Sequence, residues 1–341
     1  MAKLKIGVIG TGSIAKHRHL VEYAGNDNVE IVAVCDINQA RVEEVGASFG
    51  VAKTFTDFNE LLKEDLDAVS VCTPNYLHAP ISIAALNAGK HVLCEKPMAT
   101  SEEEANQMIE AAQKSSKTLM IGHNQRFVKS HQLAKEWIES GKLGKVYSFR
   151  TAFGHPGPET WSAEGKDSWF FKKDQAFIGA MGDLGVHKTD LIRYILGEEI
   201  VEVAAMVETS AKKNADVDDN AVLILKTQSG IVGTLAASWS YNGTEDNSTV
   251  IYAENGVLRL EDDETFSVVF HKSDRTKEEL NLGQIQSNDE GGQVTSGVID
   301  HFVDSILTGN TPLITGEEGK KSLQVILGAI QSNETKQIVR L

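Results

Sequence analysis

The first 36 residues restrict the possible folds more than any other part of this chain. An apolar run over 4–9 ends in Gly10-Thr-Gly12-Ser13-Ile14-Ala15, and a second apolar run over 29–35 ends at Asp36. This order reads as a strand, a tight turn, a helix and a second strand that presents an acid. Gly10 permits the turn, Gly12 lets backbone N–H groups approach a pyrophosphate, and Ala15 lets helix and strand pack closely. Phosphates would rest on the positive end of the helix, where Ser13 and Ile14 stand. Asp36 can accept from a ribose 2′-hydroxyl and would repel a 2′-phosphate, which favours NAD over NADP. An ordinary strand–helix turn with no ligand is the plainer reading of a glycine-rich turn. The strand before, the helix after and the acid ending the next strand argue for a dinucleotide.

The pattern of alternation continues. Strands are expected over 4–9, 30–35, 68–72, 91–94 and 119–122, and helices over 39–49, 58–62, 80–88 and 101–115. Ser101 with Glu104 forms a capping box that starts the last of these. Strands alternating with helices imply a doubly wound parallel sheet whose ligands lie off the strands' carboxyl ends. After a helix over 130–140 the pattern changes to strands over 146–153, 200–208, 221–226, 231–239, 249–253 and 257–261. Ser229-Gly230 and Asn255-Gly256 are hairpin turns, so a mostly antiparallel sheet is expected. One helix, over 183–196, is inserted among these strands; a mobile loop is expected over 273–297 and a final helix over 316–332. At 341 residues two domains are expected. We place them at 1–123 and 124–341, with the final helix able to pack back on the first.

The formal net charge of −15 argues against nucleic acid or an anionic membrane as the main partner. No signal-peptide pattern and no apolar run long enough to span a bilayer is visible. Cys35, Cys72 and Cys94 form no Cys-x-x-Cys pair and read as reduced structural thiols, which suits the cytoplasm. His17-x-His19 lacks a third ligand nearby and reads as polar or cofactor contacts, with no metal expected.

Chemistry-bearing residues collect at the strand ends. The third strand ends in Cys72-Thr73-Pro74-Asn75-Tyr76-Leu77-His78, the fourth in Glu95-Lys96-Pro97, and the fifth in Gly122-His123-Asn124-Gln125-Arg126-Phe127. Farther on stands Met181-Gly-Asp183-Leu-Gly-Val-His187-Lys-Thr-Asp190. An exposed lysine is the ordinary fate of Lys, and an Asp four residues before a His is a common helix pair. Together these motifs carry more weight than singly. His187 suits a general acid/base because imidazole titrates near neutrality, and Asp183 at that spacing could orient the substrate or the imidazole and favour the imidazolium.

With these motifs in this order, the chain resembles the glucose–fructose oxidoreductase/inositol dehydrogenase (Gfo/Idh/MocA) family along essentially its whole length. The resemblance implies an N-terminal Rossmann domain, a C-terminal α+β domain with an open, mostly antiparallel sheet, and an NAD(P)-dependent dehydrogenase or reductase acting on a secondary alcohol or ketone of a sugar, inositol or related polyol. It implies catalytic roles for Lys96, Asp183 and His187, and cofactor contacts from Thr73, Pro74, Asn75, His78, Glu95, Lys96 and Asn124. Arg41, on the helix after Asp36, is expected at the adenine or its ribose. Arg126, His155 and Trp161 are expected at the substrate, with aromatic faces packing on sugar C–H groups. Where the family usually carries successive glycines, this chain has Phe177 and Ile178, which puts local backbone shape and the pocket wall in question. Two rival readings share the fold: a glycosidase that oxidises its sugar transiently on retained NAD, and a non-enzymatic NAD-binding regulator. An open sheet also needs cover, so a homodimer or homotetramer is expected.

Overall fold

The computed structural model describes residues 3–283 and 295–341. Six strands form the first sheet: β1 (Leu4–Ile9), β2 (Val29–Cys35), β3 (Lys53–Phe55), β4 (Ala68–Val71), β5 (His91–Cys94) and β6 (Leu119–Ile121). All pair in parallel, in the order β3-β2-β1-β4-β5-β6. Strand order reverses between β1 and β4, and in such sheets the crevice beyond that point receives the ligand. Ile6, Val8, Val34, Val69 and Leu93 are fully buried, as expected of strands covered on both faces. The short strand β3 lies at the edge and was not expected from the sequence.

The second sheet has nine strands: β7 (Val146–Gly154), β8 (Ile200–Glu208), β9 (Asn220–Thr227), β10 (Val232–Ser238), β11 (Thr249–Ala253), β12 (Gly256–Leu260), β13 (Val268–Lys272), β14 (Lys277–Leu280) and β15 (Val339–Arg340). Their order is β14-β13-β12-β11-β7-β10-β9-β8-β15. Only β7 and β10 pair in parallel; the remaining neighbours are antiparallel. Both expected hairpins form, β9–β10 and β11–β12.

Three expectations need correction. The stretch over 273–297 begins with strand β14, paired to β13, and residues 284–294 lie outside the described residues. The helix Val298–Thr308 was not anticipated; its Val298, Ile299, Phe302 and Val303 complete the core of the first sheet. Ser101 does cap its helix, its Oγ accepting from Glu104 N at 3.2 Å, but the box is not reciprocal. The Glu104 carboxylate instead accepts from Thr100 N and Oγ1 at 2.9 and 2.8 Å.

The final helix, Gly316–Thr335, spans both cores: Leu323 packs under the first sheet, while Val325, Ile326 and Ala329 pack under the second.

Candidate functional site

A cleft of about 1320 Å³ runs past the carboxyl ends of β1, β2, β4 and β5 and is roofed by the segment after β7. Its floor is the glycine turn. A Cβ on Gly10, where φ is +88°, would sit 2.5 Å from Cys72 O, so only glycine fits between β1 and β4. Nothing stands within 4 Å of where a Gly12 Cβ would be, which leaves the backbone N–H groups open to a ligand. Ser13 and Ile14 line the same floor.

At the far end Asp36 is held rigidly. One carboxylate oxygen accepts from Thr11 N and Oγ1 at 2.9 and 3.0 Å, the other from Asn38 N at 2.9 Å. Asp36, Arg41, Thr73, Pro74, Asn75, His78, Glu95 and Asn124 all line the cleft. Buried Asn124 Oδ1 and Thr73 Oγ1 have no hydrogen-bond partner among the described residues. Such atoms need a ligand or water to satisfy them. A rigid acid, an open amide turn and unsatisfied polar atoms at a topological switch point together fit a dinucleotide.

The catalytic candidates converge at the other end. Lys96 leaves β5 one residue after Glu95, and a cis Lys96–Pro97 bond follows. Its Nζ donates to Asp183 Oδ1 and to Asp183 O, both at 2.9 Å. Trp239 Nε1 donates to the other Asp183 oxygen at 3.2 Å. The lysine and the carboxylate are thus a nearly buried ion pair, 15% and 7% exposed, brought together across 87 residues of chain.

Asp183 does not hydrogen-bond His187, contrary to expectation. Residues Met181–Gly185 form a π-turn ahead of the α-helix Val186–Leu196, and the wider turn rotates Asp183 off the face that carries His187. Burial, reinforced by the Lys96 ammonium, holds the His187 imidazole well below its ordinary value. Its buried Nδ1 has no partner among the described residues, and the ring packs against Phe153 at 5.8 Å. His187 therefore stands as a neutral imidazole.

Phe177 adopts φ +70° and ψ −49°, a conformation usually left to glycine. Ile178 turns into the second core. Gly179 must remain glycine, because a Cβ there would lie 1.9 Å from Asp218 O. Asp218 fixes this turn by accepting from Gly179 N and Met181 N at 2.7 and 2.8 Å.

One further expectation is corrected. Arg126 is 3% exposed and does not line the cleft. It makes a bidentate pair with Asp190 at 2.8 and 2.7 Å and reaches Glu318 at 2.9 Å. His78 reaches the cleft wall, but both ring nitrogens are spent on backbone carbonyls, Pro97 O at 2.7 Å and Thr73 O at 2.8 Å. It braces two site loops against each other. Similarly, Asn75 donates to Ala176 O at 2.8 Å, tying the turn after β4 to the second unit.

His155 and Trp161 line the cleft as expected. His155 Nδ1 accepts from Gly157 N at 3.0 Å, so Nε2 carries the proton; Nε2 and Trp161 Nε1 are buried donors without a partner among the described residues. They suit oxygen acceptors on a ligand.

His19, read from the sequence as a polar or cofactor contact, donates from Nε2 to Glu95 at 2.8 Å. Three features escaped the sequence reading. Trp239 supports Asp183. Gln125 donates to Asn247 at 3.1 Å along the cleft wall. Lys188, fully buried, donates to Asn247 O at 2.7 Å, and burial pushes its amine down to about 7. Adjacency to His187 was the only sequence signal for Lys188; the others meet only in three dimensions.

Residues 4–123 match the model of the oxidoreductase family with an NAD-binding Rossmann fold, and residues 131–259 match the GFO/IDH/MocA C-terminal domain. The chain belongs to the Gfo/Idh/MocA oxidoreductase family. Among its relatives, the myo-inositol 2-dehydrogenase of Thermotoga maritima is 29% identical, covering 99% of this chain and 98% of the relative. The levoglucosan dehydrogenase of Pseudarthrobacter phenanthrenivorans is 30% identical, covering 73% of this chain and 71% of the relative. A solved levoglucosan dehydrogenase in complex with NADH and L-sorbose matches with a TM-score of 0.87 at 26% identity, over 100% of this chain and 99% of that one. The family cofactor, NAD, fits the cleft described above, and this Gfo/Idh/MocA member is an oxidoreductase acting on CH–OH groups.

Proposed function

We propose that the protein is an NAD-dependent dehydrogenase that transfers a hydride between nicotinamide and a secondary alcohol carbon of a sugar, inositol or related polyol. One observation carries the assignment of residues: Lys96, aimed by Asp183, and a neutral His187 whose Nδ1 has no hydrogen-bond partner among the described residues share the cleft at the switch point. The names of the relatives support the substrate class.

Bound nicotinamide supplies the hydride acceptor. The glycine turn with Ser13 and Ile14 would cradle the pyrophosphate, Asp36 the adenosine ribose, and Thr73, Pro74, Asn75, Glu95 and Asn124 the nicotinamide half. His187, kept neutral by burial, can accept the hydroxyl proton. Lys96 donates to the same oxygen and stabilises the negative charge that develops there. Asp183, itself held by Trp239, fixes the direction of the ammonium, and His155 and Trp161 donate to the remaining substrate oxygens.

The division at 1–123 and 124–341 is proposed as two domains, with the helix Val298–Thr308 and the start of the last helix returning to the first core. We also propose a homodimer or homotetramer. Met206, Val222, Ile224 and Val232 are exposed on one open face of β8, β9 and β10, where a second copy would cover them. Among the described residues no helix is long and apolar enough to cross a membrane; the cytoplasm is the proposed compartment.

The test is nicotinamide absorbance during incubation with NAD and a panel of inositols, aldoses and glycosides. NADH formation on one substrate class is expected. Silence across the panel with NAD still bound would refute the dehydrogenase reading.

A further inference from the structure

At the adenosine end of the cleft lies a guanidinium that the reaction does not use. Arg41 stands in the first turn of the helix Gln39–Phe49, just after β2. Its Nη1 lies 3.7 Å from Asp36 Oδ2, so it reaches whatever rests on Asp36. An arginine in this region is what ordinarily accommodates the 2′-phosphate of NADP. On that ground alone Arg41 would work against the preference for NAD that Asp36 sets.

The opposite face of the guanidinium is already occupied. Arg41 Nη2 donates to Glu164 Oε1 at 2.5 Å, and Glu164 belongs to the segment after β7, 123 residues away in the chain. Glu164 lines the same cleft as Asp36 and Arg41. The segment that carries it is anchored a few residues earlier, where Ser13 Oγ in the glycine turn donates to Trp161 O at 2.8 Å. Arg41 and Glu164 side chains are only 25% and 32% exposed, so solvent screens their interaction incompletely. Two carboxylates to one guanidinium leave this end of the cleft negative.

We infer that Glu164, reaching across from the second unit, is a specificity-determining residue for the cofactor: it occupies the arginine that a 2′-phosphate would need and adds its own negative charge beside the phosphate's position. NADP is then refused by two acids from different parts of the chain. Asp36 reads the ribose hydroxyl, and Glu164 withholds Arg41. The inference concerns cofactor choice and holds whichever polyol is the substrate.

Equilibrium binding of NAD+ and NADP+ to the full chain, without substrate, tests it by quenching of tryptophan fluorescence. Glu164→Gln should tighten NADP+ by roughly tenfold or more, about 1.4 kcal/mol per factor of ten, while the Kd for NAD+ stays within about threefold. Glu164→Ala, which removes both charge and reach, should do the same. Glu164→Asp, which keeps the charge, should stay near the parent ratio. Adding Arg41→Ala to Glu164→Gln should remove most of the gain, because the freed guanidinium is its main source, and leave only the smaller part that comes from losing the Glu164 charge. An unchanged ratio of the two Kd values in both Glu164→Gln and Glu164→Ala, or a gain that persists undiminished in the Arg41→Ala double variant, would overturn the inference.

Discussion

Replacing Arg126 with Met separates a structural arginine from a substrate-reading one. The guanidinium makes three hydrogen bonds, two to Asp190 and one to Glu318, and its side chain is 4% exposed while that of Asp190 is 1% exposed. These contacts join the turn after β6 to the helix that carries His187 and to the last helix. Removing one partner of a buried pair costs about 3–5 kcal/mol, because the remaining charge loses its compensation. Here Arg193 stays within 3.7 Å of Asp190 and 3.1 Å of Glu318, and Ser322 Oγ still donates to Asp190 at 3.0 Å. The loss should therefore lie near the lower end, about 3 kcal/mol, which corresponds to roughly 6–12 °C in Tm. Burial opposes the charge on Glu318, but Arg126, Arg193 and Lys321 hold its carboxyl down to about 2. A depressed carboxyl stabilises the fold above its unfolded value and loses that contribution as pH falls through the folded one. The gap between parent and Arg126→Met should consequently close as pH drops from about 4.5 toward 2. Scanning calorimetry across pH, with steady-state kinetics on the best polyol, measures both. A Tm change below about 2 °C together with a roughly tenfold rise in polyol KM would refute the reasoning and return Arg126 to the substrate.

Lys96→Met should lower kcat by about 10²–10³ with little change in KM, since it removes a donor aimed at developing negative charge; near-normal turnover by NADH absorbance would rule that role out. Because burial holds His187 well below 6.5, kcat/KM in the oxidative direction should be flat near neutrality and fall only as His187 protonates on the acid side. That limb should vanish in His187→Gln, and an acid limb at or above about pH 7 would contradict a buried neutral base. Gly179→Ala should lower Tm by several degrees, its new Cβ driven against Asp218 O, at a cost of about 1–3 kcal/mol for overpacking; an unchanged melting curve would show that this turn can open.

The legible parts of this protein depend on short-range rules. β1 and β5 begin and end where the apolar runs do, and the helix Gln39–Phe49 follows its amphipathic pattern, capped by the Asn38 side chain accepting from Arg41 N. The glycine turn and Asp36 form one continuous stretch, so the dinucleotide site was readable before any long-range contact was known. The π-turn defeated the expectation for Asp183 and His187, since an i,i+4 argument presumes an α-helical register that residues 181–185 do not keep. Arg126 was misassigned because its partners lie 64 and 192 residues away. Charge alone does not distinguish an arginine that faces a ligand from one that closes a core.

By itself, then, the sequence determined the parallel sheet, the cofactor turn and the identity of the chemically competent side chains, because periodicity, turn chemistry and residue type act over a few neighbours. Only the tertiary structure decided which of those side chains meet. Lys96 found Asp183, Asp183 found Trp239, and Arg41 found Glu164, each across 56 to 123 residues of intervening chain. Pairings at such separations follow from how the two sheets pack and where the segment after β7 crosses the cleft, and no local pattern records them.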